Sequence, residues 1–148
     1  MFSNWRVLIL PAAFWLTGCS MSADTALAEA EVPGFHDALA SGQFDRLYDN
    51  GSDEFKGAAT KADLVSLLDS VRNKLGAVTS STRASWNVNY RTNGTFVTLI
   101  YETQFAHGTA VEEFVYQISD NKPQLAGYHI SNIKLLTVAH DNSVPSKI

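Results

Sequence analysis

The chain has 148 residues, 45 % of them hydrophobic and 18 % charged, with a formal net charge of −4. Its length suits one ordinary domain, and its scattered, mildly acidic charge lacks both the basic footprint that nucleic acid needs and the polybasic cluster that holds anionic lipid. The single cysteine, Cys19, excludes an internal disulfide and any cysteine-based metal site.

Arg6 is the one positive charge ahead of an apolar run, Val7 to Leu16. As a helix that run covers ~15 Å, half of a ~30 Å hydrocarbon core. Pro11 interrupts it, which further disfavours a straight span. A short apolar run behind a basic start and ahead of small residues reads as a secretory signal. Its last four residues, Leu16-Thr17-Gly18-Cys19, resemble the lipobox of bacterial lipoprotein precursors. That resemblance implies cleavage between Gly18 and Cys19, a diacylglyceryl group on the Cys19 thiol, and acylation of the new amino group. One acyl chain holds a protein only reversibly, whereas two or more on one residue anchor it stably. Ser20, rather than Asp, after the cysteine implies routing to the outer membrane, facing the periplasm.

On this reading residues 1–18 are a removed signal peptide and residues 19–31 are the acylated cysteine and a tether. The stretch Ser20 to Glu31 is small and acidic, with no large apolar cluster. The alternative is an N-terminal extension of the first helix, since Ala and Glu favour helix. Residues 32–138 form one domain, and 139–148 are a polar tail expected to fray.

Within the domain, Pro33 suits a helix start, Phe35, Ala38 and Leu39 share a face, and Gly42 suits a stop. A short turn, Phe44 to Tyr48, follows. The clearest helix opens at Thr60 with Asp63 in capping-box spacing. Leu64, Leu67, Leu68, Val71 and Leu75 then recur at helical intervals, and Gly76 closes it. After Gly76 the period changes to two. Trp86, Val88 and Tyr90 alternate with Ser85, Asn87 and Asn89. Asn93-Gly94 predicts a hairpin of type I′. Thr95 to Phe105 reads as a second strand, with Val97, Leu99, Tyr101, Thr103 and Phe105 on one face. His107-Gly108 turns the chain into a third strand, Val111 to Ile118. Asp120 to Pro123 turns it into a fourth, Leu125 to about Leu136. The expected fold is therefore α+β, with N-terminal helices packed on a four-stranded antiparallel meander sheet.

Several motifs across residues 33–133 carry a family resemblance: Gly42-Gln43-Phe44, Leu75-Gly76-Ala77-Val78, Tyr101 to Phe105, Glu112, and Gly127-Tyr128-His129-Ile130. In this order they resemble the bacterial domain-of-unknown-function family numbered 4019. More broadly they resemble the cone-shaped nuclear-transport-factor-2-like and cystatin-like folds. The resemblance implies a curved sheet over helices and no assigned activity. An aromatic residue often opens the last strand in these folds; Pro123 holds that place here.

Little in the chain points to catalysis. His36, His107, His129 and His140 lack metal-ligand spacing, so neither a metal nor a cofactor is expected. Asp45, Asp49, Asp53 and Glu54 invite a calcium reading, but the glycine and distal glutamate of an EF-hand loop are out of register. Glu112-Glu113 presents one carboxylate to each side of a strand. There is no GxSxG motif and no Gly-rich phosphate loop. What remains is aromatic and polar: Trp86, Tyr101, Glu113, Tyr116 and His129 are the expected lining of a pocket in the cone, with Tyr90 and Tyr128 beside them. The favoured expectation is a non-catalytic envelope protein that binds a small apolar ligand or an envelope protein partner. The alternatives are an isomerase or cyclase built on Glu113, His129 and Tyr116, and an accessory subunit that forms a homodimer through the sheet.

Overall fold

The computed structural model describes residues 20–135. The expected signal peptide, the Gly18–Cys19 cleavage, the lipid on Cys19 and the frayed tail lie outside the described residues.

Helix α1 runs Ser20–Ser41. The expected tether over residues 20–31 is therefore the first half of a helix. A stripe at steps of three and four residues accounts for it: Thr25, Ala28, Val32, Phe35 and Leu39 are all buried, none more than 6 % exposed. That stripe binds the helix to the sheet, where tertiary packing sustains most helices. Pro33 falls inside α1 rather than at its start. Proline there removes one intrahelical hydrogen bond, yet Val32 and Phe35 beside it are buried and hold the helix on course. The helix ends in a Schellman motif. Gln43 N–H donates to the Ala38 carbonyl at 2.9 Å, Gly42 N–H donates to Leu39 at 3.4 Å, and Gly42 takes φ +72°.

Helix α2 spans Phe44–Asp49 and α3 spans Asp53–Ala58. The sequence reading had no α3. Its N-cap, Ser52, is 1 % exposed, accepts from Phe55 N–H through Oγ at 3.2 Å, and donates its own N–H to Leu125. Helix α4, Lys61–Leu75, has the expected capping box between Thr60 and Asp63. Leu64, Leu68, Val71 and Leu75 are buried, whereas Leu67 is largely exposed.

Four strands follow, β1 Val78–Arg91, β2 Gly94–Phe105, β3 Gly108–Ser119 and β4 Lys122–Leu135. They form one antiparallel meander in the order β1-β2-β3-β4. The expected α+β class, with N-terminal helices on a four-stranded sheet, is what the chain adopts. Two turns differ from expectation. The β1–β2 strands pair Arg91 with Gly94, so the loop is Thr92–Asn93 and neither residue has positive φ. Gly94 is needed for a different reason: at φ +131°, a Cβ there would meet the Ile118 carbonyl at 2.7 Å. The two consecutive positive φ values of a type I′ turn belong to Asp120 and Asn121, between β3 and β4. Pro123 lies within β4, an edge strand, where a missing N–H is tolerated. The β2–β3 turn, Ala106–His107, docks on the end of α4; His107 N–H donates to the Leu75 carbonyl at 2.9 Å, satisfying an acceptor the helix leaves open.

One face of the sheet meets the helices. On β3 it carries Gly108, Ala110, Glu112, Phe114, Tyr116 and Ile118, all buried. On β2 it carries Val97, Leu99, Thr103 and Phe105, none more than 3 % exposed.

Candidate functional site

Five side chains were expected to line one pocket, and the sheet separates them. Tyr116 is on the helix-covered face and 3 % exposed. Tyr101, paired with Glu112, shares that face and is half-buried, its ring edge-on to Phe114 at 5.8 Å. Burial holds the Tyr101 hydroxyl above the ordinary phenol range, and the positive charge of Arg83 partly offsets this. Glu113 and His129 are direct cross-strand partners, and they lie on the opposite face because side chains alternate along a strand. Glu113, His129 and Tyr116 therefore do not meet around one substrate. Trp86 pairs with Leu99 and so points to the helix side, but it stands beyond the helices and is 44 % exposed.

The structure assembles a group the sequence reading did not. Its centre is Glu112, the other member of the Glu112-Glu113 pair, with no exposed surface. Thr103 on β2 donates to Glu112 Oε2 at 2.5 Å, and Tyr128 on β4 donates to Oε1 at 2.8 Å. His36 on α1 places Nε2 2.8 Å from Oε2. Ser81 on β1 extends the chain to Thr103 Oγ1 at 3.0 Å. One carboxylate thus ties α1 and all four strands together. Burying a charge costs several kcal/mol unless hydrogen bonds replace its water, and here three residues do so. The Tyr128 hydroxyl is held well above its ordinary range, first by burial and then by the Glu112 charge and hydrogen bond. Around the cluster Phe35, Phe114 and Tyr128 pack with ring centroids 4.6–5.3 Å apart. The carboxylate is saturated and enclosed, which suits a structural role better than proton transfer to a substrate. Parity could have found it: Glu112 has the same strand phase as Phe114, Tyr116 and Ile118, whereas Glu113 has the phase of Val111 and Val115. His36 likewise falls one turn after Val32 on the apolar stripe of α1.

The acidic residues read as a weak calcium candidate are engaged otherwise. Lys61 lies 2.6 Å from Asp49 and 3.7 Å from Asp45, and the hydrogen bond it donates to Asp49 raises the Lys61 ammonium above its usual range. Glu54 pairs with Arg91 at 3.2 Å. Among the described residues no cluster of His, Cys, Asp or Glu could hold a metal ion.

The surface feature left open is the edge of the sheet at β1. Trp86 and Tyr90, the latter 57 % exposed, flank the half-buried Val88 on the helix-side face. From Ser85 to Arg91 the pairing with β2 runs without a break. That stretch carries no proline and one charge, at its end. β4 carries Pro123 and two register irregularities against β3, and β1 has two of its own before Ser85. Arg83 is turned inward to an ion pair with Glu29 of α1.

Fold and site define an α+β helix-on-meander domain with one saturated buried carboxylate and one bare aromatic edge. The chain matches the family described as protein of unknown function (DUF4019) over residues 35–128, and it belongs to that family. The matched span takes in His36, Thr103, Glu112 and Tyr128. Comparison with curated proteins gives no match.

Proposed function

We propose that this chain is a lipid-anchored protein of the bacterial cell envelope whose domain is a binding module, with β1 as the docking strand for an envelope protein. The anchoring half of the reading is supported by the short signal-like run and the lipobox-like Leu16–Cys19, with Ser20 favouring the outer membrane. The binding half is carried by one observation: Trp86 and Tyr90 stand 44 % and 57 % exposed on an unbroken free edge. An edge strand offers a row of unpaired N–H and C=O groups, which natural sheets normally guard with charge, proline or bulges. Ser85 to Arg91 has little of that guard. An extended segment of another protein can add there through backbone hydrogen bonds, and tryptophan and tyrosine are favoured anchors of protein interfaces. A second copy of this chain could use the same edge, as the accessory-subunit reading supposes.

The test places a photocrosslinking residue at Asn87 of the full-length protein in its own envelope. An adduct to a different protein, reduced several-fold by Trp86→Ala, is the expected result. Adducts only to itself would replace the partner reading with a homodimer, and no adduct at all would overturn docking at β1. Separately, metabolic labelling with a fatty-acid analogue should mark the protein and be abolished by Cys19→Ser.

A further inference from the structure

At the other end of the helix-covered face, a cavity of about 100 Å³ opens between α1, α2 and the paired strands β3 and β4. Phe35, Leu47 and Leu125 form its walls, and Tyr116 is at its base. Tyr116 is 3 % exposed, yet among the described residues its hydroxyl has no hydrogen-bond partner. The hydroxyl oxygen itself keeps accessible surface, so it is open to whatever enters the cavity. The mouth carries opposite charges, Glu31 on α1 and Arg46 on α2. Among the described residues they form no ion pair with each other, and Arg46 donates to Gln43 Oε1 at 3.1 Å. Burial, and after it the Glu31 charge, holds the Tyr116 hydroxyl above the ordinary phenol range.

Gly34 is a place where the cavity mouth can be filled. It lies within α1 and lines the same cavity. Glycine inside a helix costs ~1 kcal/mol against alanine. At Gly34, as at Gly57, a Cβ would meet nothing within 4 Å, so a larger side chain has room there.

We infer that this cavity is a binding site for a small zwitterion of the α-amino-acid class. Its ammonium group would face Glu31, its carboxylate would take Arg46 and the Tyr116 O–H, and a short apolar side chain would lie on Phe35, Leu47 and Leu125. A cavity this small is well below the ~300 Å³ of a drug-sized site, which limits the guest to a few heavy atoms. A guest carrying both charges can engage both side chains at once, which a singly charged one cannot. This site is distinct from the β1 edge and does not depend on it.

The full-length protein in detergent would be titrated with L-valine, and with isobutylamine and isovalerate as carriers of one charge each, by calorimetry or ligand-observed NMR. Saturable L-valine binding is expected, at least about tenfold tighter than either control. Glu31→Gln and Arg46→Gln should each weaken it by about tenfold. Gly34→Leu, which fills the mouth without removing a core contact, should abolish it while the circular dichroism spectrum stays unchanged. Equal binding of a singly charged control would overturn the zwitterion assignment. Binding that survives Gly34→Leu, or none up to millimolar L-valine, would overturn the site.

Discussion

Glu112 and Tyr116 stand four residues apart on one face of one strand, and their surroundings are opposite. Glu112 is wholly enclosed and has three side chains on its two oxygens. Tyr116 is almost as enclosed but faces a cavity, with no partner for its hydroxyl among the described residues. The contrast teaches that burial alone does not separate a structural polar group from a binding one. The number of partners does. A saturated group holds elements together; an unsatisfied one keeps its bonding capacity for a guest.

The largest effect should come from breaking the saturated group. Glu112→Ala orphans His36 and Tyr128 and leaves Thr103 with Ser81 alone, and should cost about 3–5 kcal/mol in urea unfolding, the range for losing one partner of a buried charge. A loss under about 1 kcal/mol would mean that water already enters the cluster. Tyr128→Phe removes one of its donors and should cost about 1–3 kcal/mol.

Alkaline pH should act on both groups together. The Tyr128 and Tyr116 hydroxyls are both held above their ordinary range, chiefly by burial. A raised folded-state value means the native state keeps its protons where the unfolded chain gives them up. The contribution is whole below the unfolded value of about 10 and declines as pH rises beyond it. Stability should therefore fall from about pH 10 upward, and Tyr128→Phe should flatten the fall. An unfolding midpoint that does not change from neutral pH to above 10 would contradict this.

Smaller changes sharpen the comparison from the open side. Tyr116→Phe removes a hydroxyl that bonds to nothing in the described protein, so its stability should remain within about 0.5 kcal/mol of the parent. A loss as large as that of Tyr128→Phe would make the two tyrosines equivalent and erase the distinction. Gly34→Ala should raise stability by about 0.5–1 kcal/mol, the ordinary gain for glycine inside a helix.

Much of the architecture was legible because it rests on local patterns. The Thr60–Asp63 capping box, the leucine spacing of α4, and the alternation of Thr95 to Phe105 each specify one element. The first half of α1 was not legible because its buried stripe there is Thr25 and Ala28, small residues that gain meaning only against the sheet. β1 was read from Ser85 onward, since Val78 to Ala84 is a polar edge segment that its partner strand orders. α3 rests on one buried apolar residue, Phe55, and on a cap bonded to Leu125. Of the site, the members of the expected pocket were chosen for chemistry, and the sheet divides them by parity. The Glu112 cluster needs residues 76 positions apart, as His36 and Glu112 are, and no local pattern announces that.

The position of α1 bears on how the domain meets a membrane. The described part of α1 starts at Ser20, next to Cys19, and its buried stripe starts at Thr25. If Cys19 carries the proposed acyl chains, the body is mounted on a short rigid stalk instead of a slack leash. Its orientation to the bilayer would then be restricted, and the height at which β1 and the cavity are presented would be set by helix geometry.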